Sequence, residues 1–147
     1  MTLDTGDLKL DEETRGWKLE EILYYWVMIK SFRDLEVYQE SYMLMIIIHQ
    51  KVKEFPIYEK TDLASQMRRG SKSIPANIAE GWAKRSHEKE FKKHLDIAIG
   101  SANEMEVHIE TARDLVYLQK EFCENILKRY NILGRKLFKL KQNWKTF

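Results

Sequence analysis

Six glycines and two prolines in 147 residues leave few of the tight reversals that a many-stranded sheet requires. A single cysteine, Cys123, excludes an intramolecular disulfide. The longest apolar runs, Ile22–Ile29 and Tyr42–Ile48, are eight and seven residues, far short of the roughly 20 that span a bilayer. The opening MTLDTGDLKLDEE lacks the basic flank of a secretory signal, so the expectation is a cytoplasmic chain with no membrane partner. What remains is 44% hydrophobic and 33% charged, the balance of an ordered all-α domain.

The charge is unevenly spread. Residues 1–30 hold four basic and seven acidic side chains, net −3, whereas residues 31–147 carry net +5. The last twenty residues contain seven basic side chains and no acid. The domain reading is an N-terminal extension over 1–30, helical in part or disordered, followed by a four-helix bundle over 31–147.

Apolar periodicity predicts the four helices. The first, from about Asp34 to Phe55, has two apolar stripes: Leu35, Tyr38, Tyr42, Ile46 and His49 on one side, and Val37, Leu44, Ile48 and Phe55 nearly opposite. One stripe lines a core and the other needs a different partner, so Val37, Leu44, Ile48 and Phe55 are the candidate oligomer interface. The second helix, capped by Thr61 or Asp62, carries Leu63, Met67, Ile74, Ile78 and Trp82. The third, capped by Ser86, repeats Phe91, Leu95, Ala98, Ala102, Met105, Ile109, Ala112 and Val116 at alternating steps of four and three, a heptad seam. The fourth, about Lys120 to Asn143, buries Phe122, Ile126, Leu133, Leu137 and Leu140. Short connectors between such helices predict an antiparallel up-and-down bundle.

Pro75 stands inside the second helix, where it removes a hydrogen bond to Ser71 at a cost of about 3 kcal/mol in an exposed helix. The small neighbours Ala76, Ala79 and Gly81 favour a kinked, tightly packed helix over a break. The segment SIPANIAEG, Ser73 to Gly81, preceded by LASQMRRGSK and by SFRDLEVYQ near the start of the bundle, resembles the 23S rRNA intervening-sequence proteins. The accessory variability proteins of diversity-generating retroelements are similar to that family in fold. The resemblance spans roughly Ile29 to Lys141 and leaves residues 1–28 unexplained. It implies a bacterial four-helix bundle assembled as a homopentamer, and, in the retroelement relatives, a basic surface that engages nucleic acid and a reverse transcriptase. Its signature, Ser73, Ile74, Pro75, Ala76, Asn77, Ile78, Ala79, Glu80 and Gly81, reads as a packing motif.

No constellation supports catalysis or a cofactor. Gly70-Ser71-Lys72-Ser73 fails the phosphate-loop spacing, and His49, His87, His94 and His108 show no metal-ligand spacing. Basic clusters carry more weight. Lys128, Arg135 and Lys139 fall opposite the apolar stripe of the fourth helix, with Arg129 and Lys136 on one flank. Arg68, Arg69 and Lys72 on the second helix, and Lys84 and Arg85 at the following turn, complete the candidates for RNA or DNA contact. No base-reading motif accompanies them, so phosphate and shape contacts are expected. The competing reading is a structural or protein-interaction bundle, in which acids such as Glu106, Glu110 and Asp114 absorb the positive charge.

Overall fold

The computed structural model describes Glu20, Leu23 and residues 27–145. The expectations for the rest of the N-terminal extension lie outside these residues. Four helices follow one another, α1 (Glu36–Lys51), α2 (Leu63–Ala83), α3 (Glu88–Asp114) and α4 (Lys120–Asn143), with no strand among the described residues.

Side-chain pairs across the bundle fix its topology. Ser101 of α3 bonds Ser73 of α2, and His94 bonds Asn77, so the sequence numbers run in opposite directions. Asp96 of α3 pairs with Lys141 of α4, and Glu40 and Glu36 of α1 meet Arg129 and Lys136 of α4. The bundle is therefore antiparallel and up-and-down, with consecutive helices adjacent. The α1–α4 seam, which closes the square, is the most sparsely packed.

A 3-10 turn at Phe32–Asp34 precedes α1 because Ser31 and Asp34 form a reciprocal capping box. Ile29 and Leu35, on either side of the turn, are buried in the core. The two stripes of α1 are assigned opposite to expectation. Val37, Leu44 and Ile48, with Phe55 beyond the helix end, are buried inside the protomer and are not an oligomer interface. The stripe made only of hydrocarbon side chains takes the core, whereas the stripe with two tyrosine hydroxyls and an imidazole stays partly in water. Tyr42, Met43 and Ile46 are the exposed apolar face of α1.

Helix α2 is continuous through Pro75, which is buried, so the chain does not break there. The hydroxyl of Ser71 donates to the Arg68 carbonyl. The α2 N-terminus is not capped by an Asp62 side chain; the Glu59 carboxylate accepts from the Leu63 N–H instead. Likewise Ser86 lies one position too early to cap α3. His87 is the residue that leads into that helix, and the Ser86 hydroxyl contacts its ring.

The signature divides into two faces of α2. Ile74, Pro75, Ile78 and Gly81 are buried. A Cβ on Gly81 would lie 2.8 Å from His94 Cβ and 3.1 Å from a Phe91 ring atom, so only glycine allows this approach of α2 to α3. Beside this dry face runs a polar ladder. Asn77 Nδ2 donates to the Ser73 carbonyl (2.8 Å) and hydroxyl (3.2 Å), and the Ser101 hydroxyl donates to Ser73 Oγ (3.0 Å). Because the Asn77 amide nitrogen is committed, its Oδ1 accepts from His94 Nδ1 at 3.1 Å, which leaves Nε2 to accept from the Lys84 ammonium at 3.2 Å. Glu80 stands 3.7 Å from the same ammonium.

The α3 seam is buried from Phe91 to Ala112, but Val116, expected as its last member, is 84% exposed. The helix ends at Asp114 in a Schellman arrangement: the Tyr117 N–H donates to the Ala112 carbonyl and the Val116 N–H to that of Arg113. This geometry puts Val116 at φ 61, a left-handed conformation that a β-branched residue adopts at a cost. Trp144, just past α4, is buried edge-on to Trp82 and Phe91.

Three substitutions test this account. Gly81→Ala forces α2 and α3 apart and lowers stability by about 1–3 kcal/mol in urea unfolding. Gly100→Ala, where a Cβ meets nothing within 4 Å, raises it by about 0.5–1 kcal/mol. Val116→Gly relieves the left-handed valine and raises the unfolding midpoint, a gain of about 1 kcal/mol; an unchanged midpoint would refute strain at this turn.

Candidate nucleic-acid interface

The basic residues fall into groups with different roles. Arg129 contacts Glu40 at 3.3 Å, Lys136 pairs with Glu36, and Lys141 lies 2.6 Å from Asp96. These cations stitch α4 to its neighbours and are spent inside the protomer. Arg129 and Lys136, seven residues apart on α4, meet Glu40 and Glu36, four residues apart on α1, across the loosely packed α1–α4 seam. Sequence alone shows both spacings but not that the two helices face each other.

Lys128 and Arg135 make no ion pair among the described residues, and neither do Arg69 and Lys72 of α2. Arg135 lines a groove between α3 and α4 with Glu106, Asn131, Gly134 and Phe138, so one acid of the α3 row lies in the same depression. Because α2 and α4 occupy diagonal corners, one protomer does not merge these basic groups into a single patch. Lys84 and Arg85 stand at the opposite end of α2 from Arg68. Lys84 belongs to the polar ladder, and the Arg85 guanidinium stacks 4.5 Å above the Trp82 ring and donates to the Trp82 carbonyl.

Convergence occurs elsewhere, where α1 hands over to α2. A cleft of about 400 Å³ is lined by His49, Val52, Lys53, Lys60 and Arg68. Of these, sequence reasoning picks out Arg68 as a nucleic-acid candidate and misses His49, Lys53 and Lys60. The available signal is the segment KVKEFPIYEK, whose lysines flank Pro56 and fold back toward one point. Arg68 is held in place by a 3.0 Å hydrogen bond from its guanidinium to the Lys60 carbonyl. His49 Nδ1 meets the Met45 carbonyl at 2.9 Å, so Nδ1 carries the proton and Nε2 is left for another partner. Among the described residues no carboxylate lines the cleft. The acids closest in sequence are engaged elsewhere, Glu54 with Lys51, Glu59 with the Leu63 N–H and the Tyr117 hydroxyl, and Asp62 with the Gln66 amide.

Other chemistry finds little support in the geometry. Gly70-Ser71-Lys72-Ser73 lies within a helix, with Gly70 against Met105, and offers no phosphate cradle. Cys123 is buried, and burial pushes its thiol pKa up, away from the reactive thiolate. Among the described residues no three histidine, cysteine, aspartate or glutamate side chains gather as a metal-ligand set, and no helix is long and apolar enough to cross a membrane.

Comparison with known proteins bears on the fold and its family. No curated protein sequence matches the chain. A crystal structure at 1.70 Å of a protein of unknown function from the S23 ribosomal protein family of Bacteroides thetaiotaomicron VPI-5482 is similar, with 26% identity and a TM-score of 0.64. The alignment covers 73% of this chain and 96% of that one. The sequence profile described as 23S rRNA-intervening sequence protein matches residues 33–139, from the capping turn through most of α4. The chain thus belongs to the 23S rRNA-intervening sequence protein family.

Proposed function

We propose that the protein is a non-enzymatic, homo-oligomeric bundle that binds RNA or DNA through its unpaired basic surface, or serves as the accessory of a nucleic-acid enzyme such as a reverse transcriptase. The observation that carries this reading is the set of cations that make no ion pair among the described residues, Lys128, Arg135, Arg69, Lys72, Lys53 and Lys60, beside others that are paired. A chain that used charge only to stay dispersed in water would have little reason to segregate it this way. Assembly supplies what one protomer lacks, because a ring repeats each basic group and phosphate contacts add. A pentamer, as the family resemblance implies, is the stoichiometry proposed, in the cytoplasm.

The surface for that assembly is the exposed face of α1, Tyr42, Met43 and Ile46, beside the sparse α1–α4 seam. A second reading, a structural or protein-interaction bundle, is favoured by the ion pairs that consume Arg129, Lys136 and Lys141.

Light scattering separates the faces of α1: Met43→Glu should reduce the assembled mass while preserving helicity, whereas Ile48→Glu should unfold the protomer. An unchanged mass for Met43→Glu would exclude this interface. For nucleic acid, anisotropy of a labelled single-stranded RNA across a salt series should give affinity that falls steeply with salt. The double variant Lys128→Ala, Arg135→Ala should flatten the log–log slope by about 0.7 for each phosphate no longer neutralised. Absence of binding even at low salt would leave the protein-interaction reading.

A further inference from the structure

We infer that the cleft between the end of α1 and the start of α2 is a binding site for a phosphomonoester dianion, such as the terminal phosphate of a nucleic-acid strand. Four basic side chains from separate segments reach it: His49 from α1, Lys53 from the turn after it, Lys60 from the connector and Arg68 from α2. Val52, buried, contributes an apolar wall. Lys53 and Lys60 have no anionic partner among the described residues. Arg68 is already oriented through the Lys60 carbonyl, so one nitrogen of the guanidinium is fixed and the remaining donors of its fork are available.

The shape selects among phosphates. A phosphodiester backbone carries one negative charge per unit at regular spacing and suits a track of cations along a groove. Here the cations converge on a cleft of about 400 Å³, the size of a small-ligand pocket, with room for a phosphate and its attached sugar rather than a run of nucleotides. A phosphomonoester at neutral pH carries between about −1.5 and −2 and exposes three terminal oxygens, as a phosphorylated side chain does. The added charge, felt by three cations at once, is what the cleft discriminates. His49, whose Nδ1 is engaged by the Met45 carbonyl, lines the same cleft with Nε2 left for another partner. The inference rests on the nucleic-acid reading only for which molecule carries the phosphate; a free mononucleotide offers the same group.

The test compares two RNA strands of one sequence, 3′-labelled, one with a 5′-phosphate and one with a 5′-hydroxyl, binding to the full chain. The expected result is affinity about tenfold higher for the phosphorylated strand. Lys60→Ala and Lys53→Ala, both at exposed positions and so compatible with folding, should abolish that preference, as should Arg68→Ala. Lys128→Ala should weaken both strands equally and keep it. Adenosine monophosphate in excess that removes the preference assigns the site to free nucleotides as well; failure to compete restricts it to strand ends. Equal binding of the two strands overturns the inference and leaves the nucleic-acid reading intact. If neither strand binds but the mononucleotide raises the melting temperature of the parent and not of Lys60→Ala, the site stands and the nucleic-acid reading falls. If nothing binds, both fall.

Discussion

The close approach of α2 to α3 is the constraint on which the rest of the molecule hangs. Two glycines of α2 set it: at Gly70 a Cβ would come within 2.9 Å of the Met105 sulfur, and at Gly81 within 2.8 Å of His94. Helices this close gain dispersion contacts along their length, but they also bury polar groups that lie at the edge of the contact. The Ser73–Asn77–His94 ladder resolves that conflict, because the buried His94 and Ser101 of α3 each find a partner on α2. Pro75 is buried in the same packing and stays within a continuous helix. The family signature is thus one device with a dry face and a polar face.

That device determines where charge can go. With α2 and α3 locked and α4 packed on α3, the weakest contact is between α1 and α4; two ion pairs span the gap there, and Lys141–Asp96 does the same between α4 and α3. Exposed or half-exposed pairs of this kind contribute little to stability, on the order of 0–1 kcal/mol each, and fix register more than they hold the fold. Their effect on recognition is larger, because each removes a cation from the surface. Basic residues therefore differ in what they can do according to the helix opposite them, and composition alone cannot sort them.

Much of the fold is legible in the sequence, and the exceptions are physical. The α3 seam is strictly periodic and its spacing picks out the seven buried members, yet it also takes in Val116, because the apolar pattern continues past the point where the Schellman turn stops the helix. The two stripes of α1 are both visible, but apolar character alone does not rank them. The tyrosines and His49, which need one end in water, are the clue that this stripe faces outward. The packing role of Ile74, Ile78 and Gly81 can be read from α2 alone, whereas the partner of Asn77 cannot, since His94 lies on another helix seventeen residues away. The cleft is the least legible feature: its side chains come from four short segments, and only the reversal at Pro56 brings them together.

A purely structural origin for the cations of the cleft competes with the binding one, and helix electrostatics separates them. The C-terminus of α1 carries the negative end of its dipole, and a cation near it gains about 0.3–1 kcal/mol, which accounts for Lys51 and Lys53 without any ligand. The same argument runs the other way for Lys60. It stands three residues before α2 begins, at the positive end of that helix, where an anion is favoured and a cation is not. Arg68 lies in the second turn, beyond the reach of either terminus, and its hydrogen bond to the Lys60 carbonyl draws the two like charges toward one cleft. Neutral donors would satisfy that carbonyl equally well. Positive charge held against both the local dipole and its own repulsion is best explained by an anion that shares the site.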